Sequence, residues 1–117
     1  MTVSTWLITA NVVVERPYGP GGKETRHGTK HFRGGAKVYI IGGYGGMGET
    51  LTVIGHHRSS GRYVKLDMLG RHLENFRMTI CYSPKVIEIV ADEYWGSDTL
   101  PTKEFWENIL PAFESYF

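Results

Sequence analysis

Five histidines and a single cysteine are the groups in this 117-residue chain best suited to proton transfer, metal ligation or nucleophilic attack at neutral pH. His56 and His57 are adjacent and are followed by Arg58 and Arg62, while His27, His31 and His72 stand in other segments. Acid–base catalysis on a phosphate needs two imidazoles flanking it and a cation nearby. The histidines with Arg58, Arg62 and Arg71 supply those residue types from different loops, but no spacing gathers them at one site. Neighbours along a strand point to opposite faces, so His56 and His57 are not a chelating pair. The His27–His31 spacing suits a helix, yet Gly28 lies between them in glycine-rich surroundings. Cys81, between Ile80 and Tyr82, has no local activating pattern and reads as a small core residue. The expectation is no catalytic residue, no metal site and no cofactor.

Glycine suggests a second kind of chemistry. The segment GGYGGMG (42–48) follows an apolar run, as phosphate-binding loops do, and Gly43, Gly45 and Gly48 have G-x-G-x-x-G spacing. Such a loop works by delivering the phosphate to the N-terminus of a helix. Here GETLTVIG follows, which reads as a strand, and no P-loop lysine accompanies it. The run is therefore expected to be a hairpin loop, with Tyr44 and Met47 as contact residues at its tip.

The elements that must position these groups are short. Residues 3–14 read as a strand that either runs long or bends near Asn11, and further strands are expected at 37–41, 51–57, 63–69 and 77–82. In YVKLDML (63–69) the odd positions form the outward set, although Tyr63 and Leu69 blur it. Ser83 and Pro84 then signal a helix start, and Val86, Ile87, Val90, Ala91 and Tyr94 recur at helical spacing over 84–94. The β-branched run 86–90 leaves a strand as the rival reading there. Thr102 is a candidate cap for a last helix carrying Phe105, Trp106, Ile109 and Leu110 on one stripe, which Pro111 should stop or kink. Strands joined by short turns favour antiparallel pairing over βαβ units. The expected fold is mainly β: a small curved antiparallel sheet or SH3-like barrel with one or two C-terminal helices. It forms a single domain over 1–117, with a long flexible loop at 17–35 and a glycine-rich loop at 42–48.

Charge narrows the function classes. Thirteen Lys+Arg against twelve Asp+Glu give a net +1, too small for a polybasic phosphate-neutralising protein. One cysteine excludes an intrachain disulfide framework. The balance is uneven along the chain: residues 1–72 sum to +6 and residues 73–117 to −5. Glu88, Asp92, Glu93, Trp95, Asp98, Glu104 and Glu107 are accordingly the candidate partner-binding set, matched to a basic protein cleft. Tyr44, His56, His57, Arg58 and Arg62 form a secondary candidate surface. Basic side chains with Tyr39, Tyr44, Tyr63 and Phe76 could alternatively make a base-stacking platform. The N-terminus lacks a charged leader and a long apolar run, which points to a cytoplasmic protein.

Residues 28–87 carry a resemblance. His31-Phe32, Gly35-Ala36-Lys37-Val38-Tyr39, Val53-Ile54-Gly55-His56-His57-Arg58, Phe76-Arg77 and Tyr82-Ser83-Pro84 resemble small bacterial immunity-type proteins of polymorphic and contact-dependent toxin systems. The resemblance implies a cytoplasmic protein, not an enzyme, that binds a toxin domain and blocks its active site. A nuclease toxin would present the basic cleft that the acidic set suits. Two alternatives stay open: a small nucleic-acid-binding β-barrel module and a small histidine-dependent hydrolase.

Overall fold

The computed structural model describes residues 4–13, 31–44, 50–93 and 101–114. Five strands form one antiparallel sheet: β1 (Thr5–Val12), β2 (Lys37–Tyr44), β3 (Thr50–His56), β4 (Tyr63–Leu69) and β5 (Leu73–Cys81). Two helices follow, α1 (Pro84–Glu93) and α2 (Lys103–Glu114). The strand order is β4-β3-β2-β1-β5, so β4 and β5 hold opposite edges although only a 3-10 turn, Gly70–His72, joins them.

That short connection dictates curvature. Laid flat, five strands would put the edges about 19 Å apart, but the chain from Leu69 to Leu73 reaches only about 14 Å when extended. The sheet must therefore curl. Register shifts between Thr9 and Asn11 on β1, and between Ile40 and Gly42 on β2, supply local bends. Curling stops short of closure: β4 and β5 do not pair, and the open curved sheet holds where a closed barrel was the other expectation.

Burial follows from position in the sheet. Leu7, Ile8, Thr9 and Ala10 on β1, and Val38 through Ile41 on β2, are buried at consecutive positions, so both faces of the central strands are covered. On edge strand β4 only one face is buried, with odd positions exposed. Both helices are capped as their sequences imply. The Val86 amide donates to Ser83 Oγ at 3.4 Å, and the Phe105 amide to Thr102 Oγ1 at 3.4 Å. Val86, Ile87 and Val90 seat α1, which packs against β4, while Trp106 seats α2 against β1 and β5.

Four expectations are corrected. β5 begins at Leu73 and not at 77, because Leu73 and Glu74 find partners in Val12 and Asn11 beyond the β1 bulge. Gly42, Gly43 and Tyr44 belong to β2, paired with Thr52, Leu51 and Thr50, so the glycine-rich loop does not start at 42. Pro111 lies inside α2, which continues to Glu114; a proline this close to the end deletes only one backbone bond, to the Glu107 carbonyl. Phe105, read onto one stripe with Trp106, Ile109 and Leu110, is exposed, because it sits about 100° round the helix from the buried Trp106. The helix read over 84–94 holds against its strand rival at 86–90. Residues 17–30 of the long loop and residues 45–48 of the glycine run lie outside the described residues. Among the described residues no helix is long and apolar enough to cross a membrane.

Candidate functional site

The best-organised polar cluster sits at the β3–β4 turn, and a tightly packed glycine helps build it. Gly55 lies under the fully buried Phe32 ring: a Cβ at 55 would fall 2.6 Å from Phe32 Cε1 and 2.8 Å from Val38 Cγ1. Phe32 thus fixes the chain that enters β2, and its neighbour His31 arrives beside the turn. The Arg58 amide donates to the His31 carbonyl at 2.8 Å, and His31 Nδ1 lies 3.0 Å from His57 Nε2. Two of the sequence segments that carry the resemblance, His31-Phe32 and Val53–Arg58, therefore meet in space.

The proton positions follow from what each group can give. The Ser60 amide can only donate, and it reaches His57 Nδ1 at 3.3 Å, so this nitrogen is an acceptor. In the neutral ring the proton then resides on Nε2, which donates to His31 Nδ1. Ser59 Oγ lies 3.0 Å from the same His57 Nδ1 and donates to it. A hydroxyl on an imidazole backed by a second imidazole has the connectivity of an activated nucleophile. The same contacts, made between residues two and three apart, also close the turn, as do the bonds from Gly61 N to His57 O and from His57 N to Arg62 O. Gly61 has φ 71, a left-handed conformation that the tight return to β4 requires.

Beside this turn lies a cleft of about 440 Å³ lined by His56, Gly61, Arg62, Tyr63, Lys85, Glu88 and Ile89. His56 and Tyr63 meet edge to face, with centroids 5.5 Å apart and planes at 83°. The secondary surface read from sequence is thus assembled for His56, His57, Arg58 and Arg62 around one turn; Tyr44 ends β2, and its side chain lies outside the described parts. Lys85 and Glu88 complete the cleft from α1. Sequence reading missed Lys85, and assigned Glu88 to the acidic set, because only tertiary packing brings α1 to β4.

The acidic set does not converge in the same way. Glu88 and Asp92 are exposed on α1, against β4, whereas Glu104 and Glu107 are exposed on α2, against β1 and β5. Trp95, Asp98 and the Glu93 side chain lie outside the described parts. Glu107 pairs with Lys103 at 3.5 Å; Glu88, Asp92 and Glu104 have no ion-pair partner among the described residues. Around α2 the surface is also aromatic. Phe105 is 43% exposed between the two glutamates, and Ile80 and Tyr82 at the end of β5 are 37% and 62% exposed. Ile80 pairs across the sheet with Trp6, over whose ring Lys103 Nζ sits at 5.0 Å. The Thr5 hydroxyl donates to the Pro101 carbonyl at 2.7 Å, tying the entry of α2 to β1.

Other candidate groups are used structurally. Tyr39 is buried, so the four-aromatic platform loses a member to the core. Burial, helped by the nearby Cys81 thiol, pushes the Tyr39 phenol up to about 12. Cys81 is itself buried, and no group of three metal-ligating side chains gathers among the described residues. No family model, curated protein or solved structure matches this chain.

Proposed function

We propose that this chain is an immunity-type protein, a stoichiometric inhibitor that binds a toxin domain, of the nuclease class, and blocks its active site. The sequence resemblance supplies the class, and the α2–β5 surface supplies the means. The observation that carries the reading is Phe105, exposed between Glu104 and Glu107 and accompanied by the exposed Ile80 and Tyr82. An aromatic anchor within a polar rim is the common composition of a protein-binding hot spot. The unpaired Glu104 carboxylate, with Asp92 on α1, would attract the basic cleft that a nuclease needs for phosphate. Action in the cytoplasm fits a chain whose one thiol is free.

The test is capture followed by inhibition. Immobilised chain should retain a nuclease from cells of the source bacterium, and one equivalent of free chain should abolish that nuclease's activity. Phe105→Ala combined with Glu104→Lys should weaken capture at least tenfold while leaving the circular dichroism spectrum unchanged. Retention of only non-toxic proteins, inhibition that is not one to one, or undiminished capture by the double variant would each reject the reading.

A further inference from the structure

We propose that the cleft between the β3–β4 turn and α1 is a binding site for a guanine nucleotide phosphate, separate from the α2–β5 surface and independent of the inhibitor reading. Three kinds of group converge there, each with an unused valence. Arg62 and Lys85 are exposed cations with no ion-pair partner among the described residues. Both line the cleft, one from the turn and one from the helix. A guanidinium and an ammonium facing one space are a phosphate receptor, the first by paired donors and the second as a point charge.

Tyr63 supplies a flat apolar face. The residue is 38% exposed and lines the cleft, where His56 meets its ring edge to face, and a base would stack on this ring. Glu88 explains why the site is not a plain anion hole. A carboxylate among cations would repel inorganic phosphate, but it accepts two parallel N–H bonds from the N1 and exocyclic amino groups of guanine. Adenine presents no such pair of donors on that edge. Ile89, half-buried, closes the apolar side. The cleft volume of about 440 Å³ lies in the range of small-molecule sites.

The same chemistry is offered by a free mononucleotide and by the 5′-phosphorylated terminal guanosine of a strand. Titration of the ¹⁵N-labelled chain with 5′-GMP, 5′-AMP, inorganic phosphate and 5′-phosphorylated or unphosphorylated short oligonucleotides beginning in G separates these cases. The expected result is saturable shifts confined to residues 56–63 and 85–89. GMP should bind about tenfold more tightly than AMP or inorganic phosphate, and more weakly as salt rises. A tighter 5′-phosphorylated oligonucleotide identifies a strand end as the ligand, and tighter GMP identifies the free nucleotide. Arg62→Ala with Lys85→Ala should reduce GMP affinity about tenfold or more, and Glu88→Gln should abolish the preference over AMP. Absence of shifts with every nucleotide, equal GMP and AMP affinities, or GMP binding unchanged in the Arg62/Lys85 double variant would overturn the proposal.

Discussion

The two ends of the curled sheet hold their surface groups in place by different means. At the α2 end, position comes from side-chain burial: Trp106 is inserted beneath the helix, and Phe105 and the glutamates are displayed from its outer side. At the β3–β4 turn, position comes from backbone and imidazole hydrogen bonds laid over one small residue, Gly55. Apolar burial is non-directional and tolerates substitution of outward-facing groups. A hydrogen-bonded turn is directional, and a displacement of His31 or His57 by an ångström undoes it. The two ends should therefore fail differently.

Trp106→Ala is the most damaging change expected, about 3–5 kcal/mol by denaturant titration, because it empties the seat of α2. Trp106→Phe should cost much less, since the buried indole Nε1 has no hydrogen-bond partner among the described residues and loses nothing polar. If the two variants are equally destabilised, burial is not what holds that end. Gly55→Ala comes next, at about 1–3 kcal/mol, because the new methyl group drives into the Phe32 ring. Its signature should be local: loss of the His31–His57 contact by NMR while α2 resonances stay unchanged.

Tyr39→Phe probes the core common to both ends. At neutral pH it should cost no more than about 1 kcal/mol, the upper worth of one phenol contact beside Cys81. In the folded chain the Tyr39 proton is held up to about 12, against 10.0 ordinarily, so the folded state binds it more tightly. This contribution is complete below pH 10, and it is lost as pH rises from 10 towards 12. The wild-type chain should lose stability across that window, and the Phe variant should lose less. Denaturant midpoints at pH 9, 10.5 and 11.5 decide it. The smallest effect separates the two jobs of His57. Asn can replace the Nδ1 acceptor that receives the Ser60 amide but not Nε2, so His57→Asn should hold the turn better than His57→Ala, by about 0.5–1 kcal/mol. Equal stability of the two variants would mean that the Ser60 bond contributes nothing.

These differences follow how far apart in sequence the interacting groups stand. The caps at Ser83 and Thr102, the alternation along β4 and the Trp106, Ile109 and Leu110 part of the α2 stripe were legible, because each is set by residues within four positions of one another; the exposure of Phe105 was not. The start of β5 and the extension of β2 through Gly42 and Gly43 were not, because strand pairing across a bulge supplies what local propensity lacks. The acidic residues were legible as a run, but their division between α1 and α2 surfaces was not.

By itself, then, the sequence determined a mainly β chain with one or two capped C-terminal helices, a core cysteine and a charge balance too even for a polybasic protein. Only the tertiary structure decided that β4 and β5, three residues apart, occupy opposite edges of a curled sheet. Only it placed His31 against His57 across 26 positions, and Lys85 and Glu88 beside Arg62 and Tyr63. The physical reason is one of range. Helix caps and side-chain periodicity are local energies written in neighbouring residues, whereas a site built on a curled sheet depends on which distant segments its curvature brings within hydrogen-bonding reach.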